Sequence, residues 1–276
     1  DRFLRGDVDQ STVLNLTDAF RMLESLFLGY PQPGCADAAD ANDDGKLDVT
    51  DPISIIGHLF QGGPPPPPPY PSCGPDPTED PLRCEESNLC PEDLTFFGLS
   101  IDADGIFFVI DRSGSMQNTG ELEVSKRQTI RATLAFQPEV QFGITFFDRE
   151  ILKFPSSDQP ASAGDAAVIN SARAFVQSAP GGGGTCGQTA LLAALRFAKS
   201  STAREKAIFY VSDGAGTCPG ADEATYLRQT LEAVTGENAG IAAIHTIGLL
   251  NPQSMQEKYL KDLAERNGGT YTQIPR

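Results

Sequence analysis

The apolar positions of this chain change their spacing along its length. Early on they recur at helical intervals, as Phe20, Leu23, Leu26 and Phe27 and again as Ile53, Ile56, Leu59 and Phe60. Each set forms one face of an amphipathic helix. Gly29 and Gly62 follow the two sets, where a helix C-terminus calls for glycine. From about residue 99 the pattern becomes an alternation. Unbroken β-branched and aromatic runs, clearest in Ile106-Phe107-Phe108-Val109-Ile110, read as strands buried on both faces of a parallel sheet. Strands are predicted at 106–110, 140–147, 151–154, 207–212, 241–247 and 270–274. Helices are predicted at 121–136, 165–178, 188–199, 221–235 and 254–266. Such alternation implies an α/β fold: a doubly wound, mostly parallel sheet with helices on both faces. The connection Phe147-Asp148-Arg149-Glu150-Ile151 is too short for a crossover, so one edge strand should be antiparallel. Gly62-Gly63 and the prolines 64–69 separate the two regions and read as a stiff spacer of about 20 Å. The division is therefore a small all-α module at 1–62, a Pro-rich, Cys-containing linker at 63–98 and the α/β domain at 99–276.

Polar positions inside the first module repeat. Asp7, Asp9, Ser11, Asn15 and Asp18 reappear, at a constant offset of 33 residues, as Asp40, Asn42, Asp44, Asp48 and Asp51. Oxygens at positions 1, 3, 5, 9 and 12 of a loop, with a backbone carbonyl at position 7, wrap one Ca²⁺ ion. Position 7 is Val13 in the first loop and Lys46 in the second. Gly45 fills position 6 of the second loop, where the chain turns sharply; Thr12 fills it in the first, which is expected to bind more weakly. The shortened Asp at position 12, the tandem repeat and the single helix after each loop resemble a dockerin, a small module with paired EF-hand-like calcium loops. The resemblance covers about sixty residues. It implies a protein partner, a cohesin-like domain, met by the helix faces and by Leu16-Thr17 and Val49-Thr50; packing of the module against its own chain is the other option. Arg5-Gly6-Asp7 spells an integrin-recognition tripeptide, but Asp7 as a calcium ligand leaves it nothing to offer.

The strand at 106–110 runs straight into Asp111-Arg112-Ser113-Gly114-Ser115. Ligands of open α/β sheets gather at the carboxyl ends of strands. Three hard oxygen side chains without imidazole or thiolate suit Mg²⁺, Ca²⁺ or Mn²⁺. Two further stretches converge there: the glycines 181–184 leading to Thr185, and the buried run Ile208-Phe209-Tyr210-Val211 ending in Ser212-Asp213. Together Asp111, Ser113, Ser115, Thr185 and Asp213 resemble the metal-ion-dependent adhesion site of von Willebrand factor A domains, in residue type and chain order. The family's Rossmann-like alternation fits residues 99–276. The resemblance implies direct metal contacts from Ser113, Ser115 and Thr185 and largely water-mediated ones from Asp111 and Asp213. The resemblance further implies that an Asp or Glu of a protein partner supplies the remaining ligand. Arg112 and Met116 occupy variable places and are expected to face solvent. A bridge between Cys186 and Cys218 would tie two of the site loops together.

A formal charge of −16 excludes nucleic acid as a partner, since phosphate binding needs a basic face. No apolar stretch reaches the length of a membrane span. The opening Asp1-Arg2-Phe3-Leu4-Arg5 carries no secretory signal, so an exported chain has had it removed or is part of a longer one. Six cysteines without a Cys-x-x-Cys pair imply disulfides, and with them an extracellular or cell-surface setting. The pairing of Cys35, Cys73, Cys84 and Cys90 is left open by the sequence. His58 and His245, the two histidines, sit in a helix and in an apolar strand, away from any nucleophile, so no enzyme is expected.

Overall fold

The computed structural model describes residues 2–84, 90, 93–214, 218, 222–249 and 255–274. The chain forms two compact units. The first gathers Asp1–Thr95 with Ile130–Gln137 and Asp165–Ala174; the second holds Phe96–Thr129, Pro138–Gly164 and Phe175–Arg276.

The second unit is built on a seven-stranded sheet. In chain order its strands are β3 (Gly105–Asp111), β4 (Gln141–Phe147), β5 (Ile151–Phe154), β6 (Ala161–Ser162), β7 (Lys206–Ser212), β8 (Ala243–Gly248) and β9 (Tyr271–Gln273), after the short pair β1 (Thr95–Phe96) and β2 (Leu99–Ser100). The spatial order is β5-β4-β3-β7-β8-β9, with β6 pairing to β4. All pairings along β4-β3-β7-β8-β9 are parallel, and β5 and β6 run antiparallel to β4. The sheet is thus mostly parallel, with the antiparallel edge expected from the short 148–150 connection. Every residue of β3 is buried, which explains its lack of polar alternation.

The helices around this sheet are α4 (Gly114–Asn118), α7 (Gly187–Ser200), α8 (Glu223–Asn238), α9 (Met255–Arg266) and parts of α5 (Glu121–Leu134) and α6 (Ala166–Ser178). The predicted helices correspond to α5 to α9; predicted first residues 221 and 254 lie outside the described residues. Ala190, Leu191, Ala194, Leu195 and Ala198 of α7 pack with Phe107, Val109 and Ile208 in the core. The alanines let the helix approach closely. Gly143 on β4 completes the fit, because a Cβ there would sit 2.6 Å from the Phe197 ring.

In the first unit, α1 (Leu16–Phe27) and α3 (Thr50–Gln61) follow the two polar loops, with a short turn α2 (Ala36–Ala39) between them. Asn15 caps α1 in a reciprocal capping box with Asp18, and Gly62 ends α3 in the left-handed conformation at φ 68°. Val8, Leu14, Ala19, Met22, Ala39, Ala41 and Ile55 form the core. The predicted helix faces are not wholly inward: Phe20, Phe27, Ile53 and Phe60 remain exposed, while Ala19, Met22 and Ile55 fill the interior.

The proline stretch is not a free spacer. Prolines lack an N–H but keep their carbonyls, and the main chain and side chain of Arg5 use them. Arg5 N donates to Pro69 O at 2.7 Å and Arg5 Nε to Pro68 O at 3.0 Å. Phe3 and Gly74 exchange backbone bonds of 3.0 and 3.1 Å beside them. The cysteines left unassigned pair as Cys35–Cys84 and Cys73–Cys90. Part of the predicted linker, residues 85–89, 91 and 92, lies outside the described residues.

This unit also recruits two helical segments. Asn170 meets the backbone of Leu14 twice, accepting from its N–H at 3.1 Å and donating to its carbonyl at 2.7 Å. Cys73 N donates to Leu134 O at 2.8 Å, and Ser72 Oγ to Phe136 O at 2.9 Å. Arg173, fully buried, donates to both the hydroxyl and the carbonyl of Thr133 at 2.9 Å.

Candidate functional site

Parallel pairing brings the ends of β3 and β7 to the same edge. Asp111 ends β3 and is fully buried. One of its carboxylate oxygens accepts from Ser113 N at 2.8 Å and the other from Ser212 Oγ at 2.7 Å. Beyond it the hydroxyls converge: Ser113 Oγ lies 3.1 Å from Ser115 Oγ, and Ser115 Oγ donates to Asp213 at 3.0 Å. Burial pushes the Asp111 carboxyl up to about 7, and nearby Asp213 adds to the rise, against hydrogen bonds from Ser113 and Ser212.

The glycine loop is zipped to this motif. Gly182 N donates to Arg112 O at 2.8 Å, and Gly114 N to Gly183 O at 3.3 Å. Thr185, buried, follows immediately, and Cys186 N donates to Asp148 O at 2.7 Å. Cys186 is disulfide-bonded to Cys218, with Cα atoms 5.0 Å apart. Gly183 has φ 71°, and a Cβ on it would run into the Asp148 carboxylate, so only glycine fits.

Two expectations are corrected here. Arg112 and Met116, expected to face solvent, are both buried. Arg112 turns inward because it has partners there: Asp148 Oδ1 at 2.9 Å and Pro180 O at 3.1 Å. Met116 lies on α4 and is the residue of that short helix whose side chain is buried. Two residues escaped the sequence reading, Asp148 and Ser212. The signal for Asp148 was present, since β4 is a third apolar run ending in an aspartate. For Ser212 it was only its place beside Asp213.

The donor set is all oxygen: three hydroxyls and two carboxylates from three separate stretches. It fits a hard divalent cation, and the buried, raised carboxyl of Asp111 is a group that such a cation would neutralise. Thr185 follows the glycine loop bonded to the Asp111 motif, Ser113 and Ser115 lie on the turn after β3, and Asp213 follows β7.

The two loops of the first unit share one backbone plan. Thr12 N donates to Asp7 Oδ2 at 2.9 Å, and Gly45 N to Asp40 Oδ2 at 2.8 Å. Asn15 N donates to Asp18 Oδ2 at 2.8 Å, and Asp48 N to Asp51 Oδ2 at 2.9 Å. Ser11 N reaches Asp9 Oδ1 at 2.9 Å, as Asp44 N reaches Asn42 Oδ1 at 3.2 Å. Val13 and Lys46 stand at the seventh position of each. Thr12 adopts φ 71°, close to the 78° of Gly45, so the first loop turns as sharply without a glycine. In each loop one buried carboxylate oxygen has no hydrogen-bond partner, Asp7 Oδ1 and Asp51 Oδ1. Burial pushes Asp7 and Asp51 up to about 7 and raises Asp18, with neighbouring carboxylates adding to each rise.

The side chains diverge more than the backbones. Asp7, Asp9 and Asp18 bring carboxylate oxygens within 4.8 Å of one another. In the second loop Asp40 converges instead with Asp43 and Asp80, while Asn42 donates to Thr50 Oγ1 at 2.8 Å and Asp48 accepts from Thr50 N at 2.8 Å. Three of the repeat's own carboxylates thus gather in the first loop, whereas the second loop's group includes Asp43 and Asp80 from outside the repeated positions. Arg5 of the Arg-Gly-Asp tripeptide is fully buried, so the tripeptide is not displayed.

Residues 106–215 match the family model of the von Willebrand factor type A domain. Over 184 residues the chain is 27% identical to inter-alpha-trypsin inhibitor heavy chain H4 of Homo sapiens, an alignment covering 64% of this chain. It spans 19% of that relative's length. Among solved structures, a von Willebrand factor type A protein from Catenulispora acidiphila superposes with a TM-score of 0.53 at 19% identity, over 62% of this chain and 38% of that one. The three N-terminal domains of the type V pili tip protein Mfa5 from Porphyromonas gingivalis give a TM-score of 0.47 at 17% identity, over 61% of this chain and 46% of that one. The α/β fold with its mostly parallel sheet is von Willebrand A-like.

Proposed function

We propose that this chain is an extracellular or cell-surface adhesion protein that grips a carboxylate-bearing protein partner through a divalent cation held by Asp111, Ser113, Ser115, Thr185 and Asp213. The observation carrying this reading is the run of hydrogen bonds from Asp111, through the Ser113 N–H and the Ser113 and Ser115 hydroxyls, to Asp213 at the shared edge of β3 and β7. A Mg²⁺, Ca²⁺ or Mn²⁺ ion bound there supplies a coordination position for an Asp or Glu of the partner. The chain's own residues do the rest. Neutral hydroxyls leave the cation's charge largely uncompensated, and the glycine loop, braced by Asp148 and the Cys186–Cys218 bridge, holds Thr185 in place. The first unit's loops are stabilised by Ca²⁺ in the same reading, as in dockerins. In this reading the chain binds and does not catalyse; its two histidines are engaged elsewhere, His245 stacked on Phe209 with its Nδ1 on Thr270 Oγ1 and His58 against Tyr70.

The test is retention on immobilised Asp- and Glu-containing peptides in millimolar magnesium or manganese. EDTA, Asp111→Ala and Ser113→Ala are expected to abolish it while circular dichroism stays unchanged. Retention that persists in excess EDTA would refute the proposal.

A second reading makes the N-terminal module the working end. Its exposed apolar residues recur at the 33-residue offset of the repeat: Phe20 at 55% exposure matches Ile53 at 59%, and Phe27 at 66% matches Phe60 at 65%. Such a pseudo-twofold apolar surface suits a cohesin-like partner. A pull-down that needs these four side chains but survives loss of Thr185 and Asp213 would favour it. A structural role, with the module packed intramolecularly, is supported by the Asn170–Leu14 pairing. Independent melting of the isolated module and the remainder, unchanged on rejoining, would count against that role.

A further inference from the structure

We propose a third calcium site in the first unit, formed by Asp37, Asp76 and Asp80, beside the second repeat loop and distinct from the first loop and from the Asp111 site. The three carboxylates bring ligand oxygens within 4.8 Å of one another. They line a cleft of about 390 Å³ that also holds Thr78, Glu79 and Arg83. The fold builds this juxtaposition deliberately. Cys35 and Cys84 are disulfide-bonded and paired as a β-bridge, and Ala36 N donates to Arg83 O at 3.0 Å. Those contacts lay the 76–84 stretch across the turn that carries Asp37.

An acidic cluster alone says little, because guanidinium groups often balance one. Here two do stand nearby, and neither satisfies Asp37. Arg5 spends its donors on the carbonyls of Pro68, Asp37 and Asp40 and on the carboxylates of Asp43 and Asp76. Arg83 donates to the carbonyls of Asp80 and Leu82. The Asp37 side chain is buried, and its Oδ1 has no hydrogen-bond partner. A buried carboxylate oxygen left without a donor is a costly arrangement that a cation relieves. Asp37, Asp43, Asp76, Glu79 and Asp80 outnumber Arg5 and Arg83 by three negative charges, enough to leave room for a divalent ion. All donors are hard oxygens, with no thiolate or imidazole among the lining residues, and the cleft is open enough to keep waters on the ion, which favours Ca²⁺.

The site does not rest on the adhesion reading, and the test separates the two. Equilibrium dialysis of the full chain against millimolar calcium counts bound ions. Asp37→Asn is expected to bind one equivalent fewer than the unaltered chain, Asp51→Asn one fewer through the second loop, and the double variant two fewer. Thermal unfolding in EDTA should leave Asp37→Asn at or above the unaltered chain, with the order reversed in calcium. Asp76→Asn, whose carboxylate belongs to this group and not to that of Asp40, Asp43 and Asp80, should repeat the loss and serves if Asp37→Asn does not fold. An unchanged count in Asp37→Asn and Asp76→Asn overturns the proposal. So does a double variant that loses only one equivalent when Asp37→Asn and Asp51→Asn each lose one, because the two changes would then remove the same second-loop ion.

Discussion

Ser212 Oγ lies 2.7 Å from Asp111 Oδ2, a hydrogen bond between the ends of two neighbouring parallel strands. It fixes the rotamer of a fully buried carboxylate around which the hydroxyls of the site are arranged. Ser212→Ala removes the donor and leaves that oxygen buried without a partner. The expected cost is about 1–3 kcal/mol of stability. It is read as a lower urea midpoint at unchanged slope, together with weaker Mn²⁺ binding at the Asp111 site. Equal Mn²⁺ affinity in the variant would show that Ser212 supports the fold alone.

Gly183 and Asp148 make a second such pair. The loop passes so close to the Asp148 carboxylate that a methyl group has no space, and φ at Gly183 is 71°. Gly183→Ala must therefore move either the loop or the carboxylate, which also holds Arg112 at 2.9 Å. The backbone strain alone is of order 1–3 kcal/mol. Thr185 sits two residues further on, so loss of Mn²⁺ binding should accompany the drop in melting temperature. Asp148→Asn keeps the shape and loses only the charge, and is expected to be the milder change by both measurements.

Thr12 occupies a left-handed conformation at φ 71° without being glycine. A β-branched residue there carries strain of about 1–2 kcal/mol, while glycine adds roughly 0.5–1 kcal/mol of unfolded-state entropy. Thr12→Gly should therefore stabilise the calcium-free chain by about half to one kcal/mol. Calcium affinity of the first loop should rise with it. The mirror-image change, Gly45→Ala, should destabilise, since it places a Cβ at φ 78°, 3.4 Å from Asp80 Cβ. A Thr12→Gly variant less stable than the unaltered chain would mean that the Thr12 side chain contributes more than its backbone costs.

Much of this architecture could be read from residue order. β3 and β7 announced themselves because a strand buried on both faces has no polar alternation, and each ends in an acidic residue or beside one. The antiparallel edge followed from the shortness of the 148–150 connection. What stayed hidden was long-range. Nothing near Arg112 in the sequence shows that Asp148 and the Pro180 carbonyl will meet it, so a charged residue after a strand read as solvated. Prolines 64–69 read as a spacer because composition describes local stiffness and says nothing of Arg5, some sixty residues away, bonding to their carbonyls. Asn170, an ordinary polar residue within a helix, gave no sign of its double hydrogen bond to Leu14. The short strands β1, β2 and β6, of two residues each, carry too few positions to show any period.

Burial gives the proposed cation sites a common pH signature. Asp111, Asp7 and Asp51 are each pushed from the ordinary 3.8 up to about 7 in the folded, ion-free chain. Raised carboxyls hold protons in the folded state that the unfolded chain has already released. Their contribution to stability is therefore complete below the unfolded value and is lost as pH rises through the folded one. In EDTA the melting temperature should accordingly be higher near about pH 5 than near about pH 7.5. Saturating calcium and magnesium should reverse the order, because a cation takes the place of the proton and binds the ionised form. Ion binding near neutrality should release protons, measurable by calorimetry in two buffers of different ionisation enthalpy. A generic fall in charge repulsion at low pH acts in the same direction, so Asp111→Asn supplies the control. That variant lacks one titrating group and should show a shallower pH slope in EDTA and release fewer protons on ion binding. An ion-free melting temperature that rises between about pH 5 and 7.5 would show that these carboxyls are already ionised in the fold, with hydrogen bonds such as Ser212 to Asp111 outweighing burial.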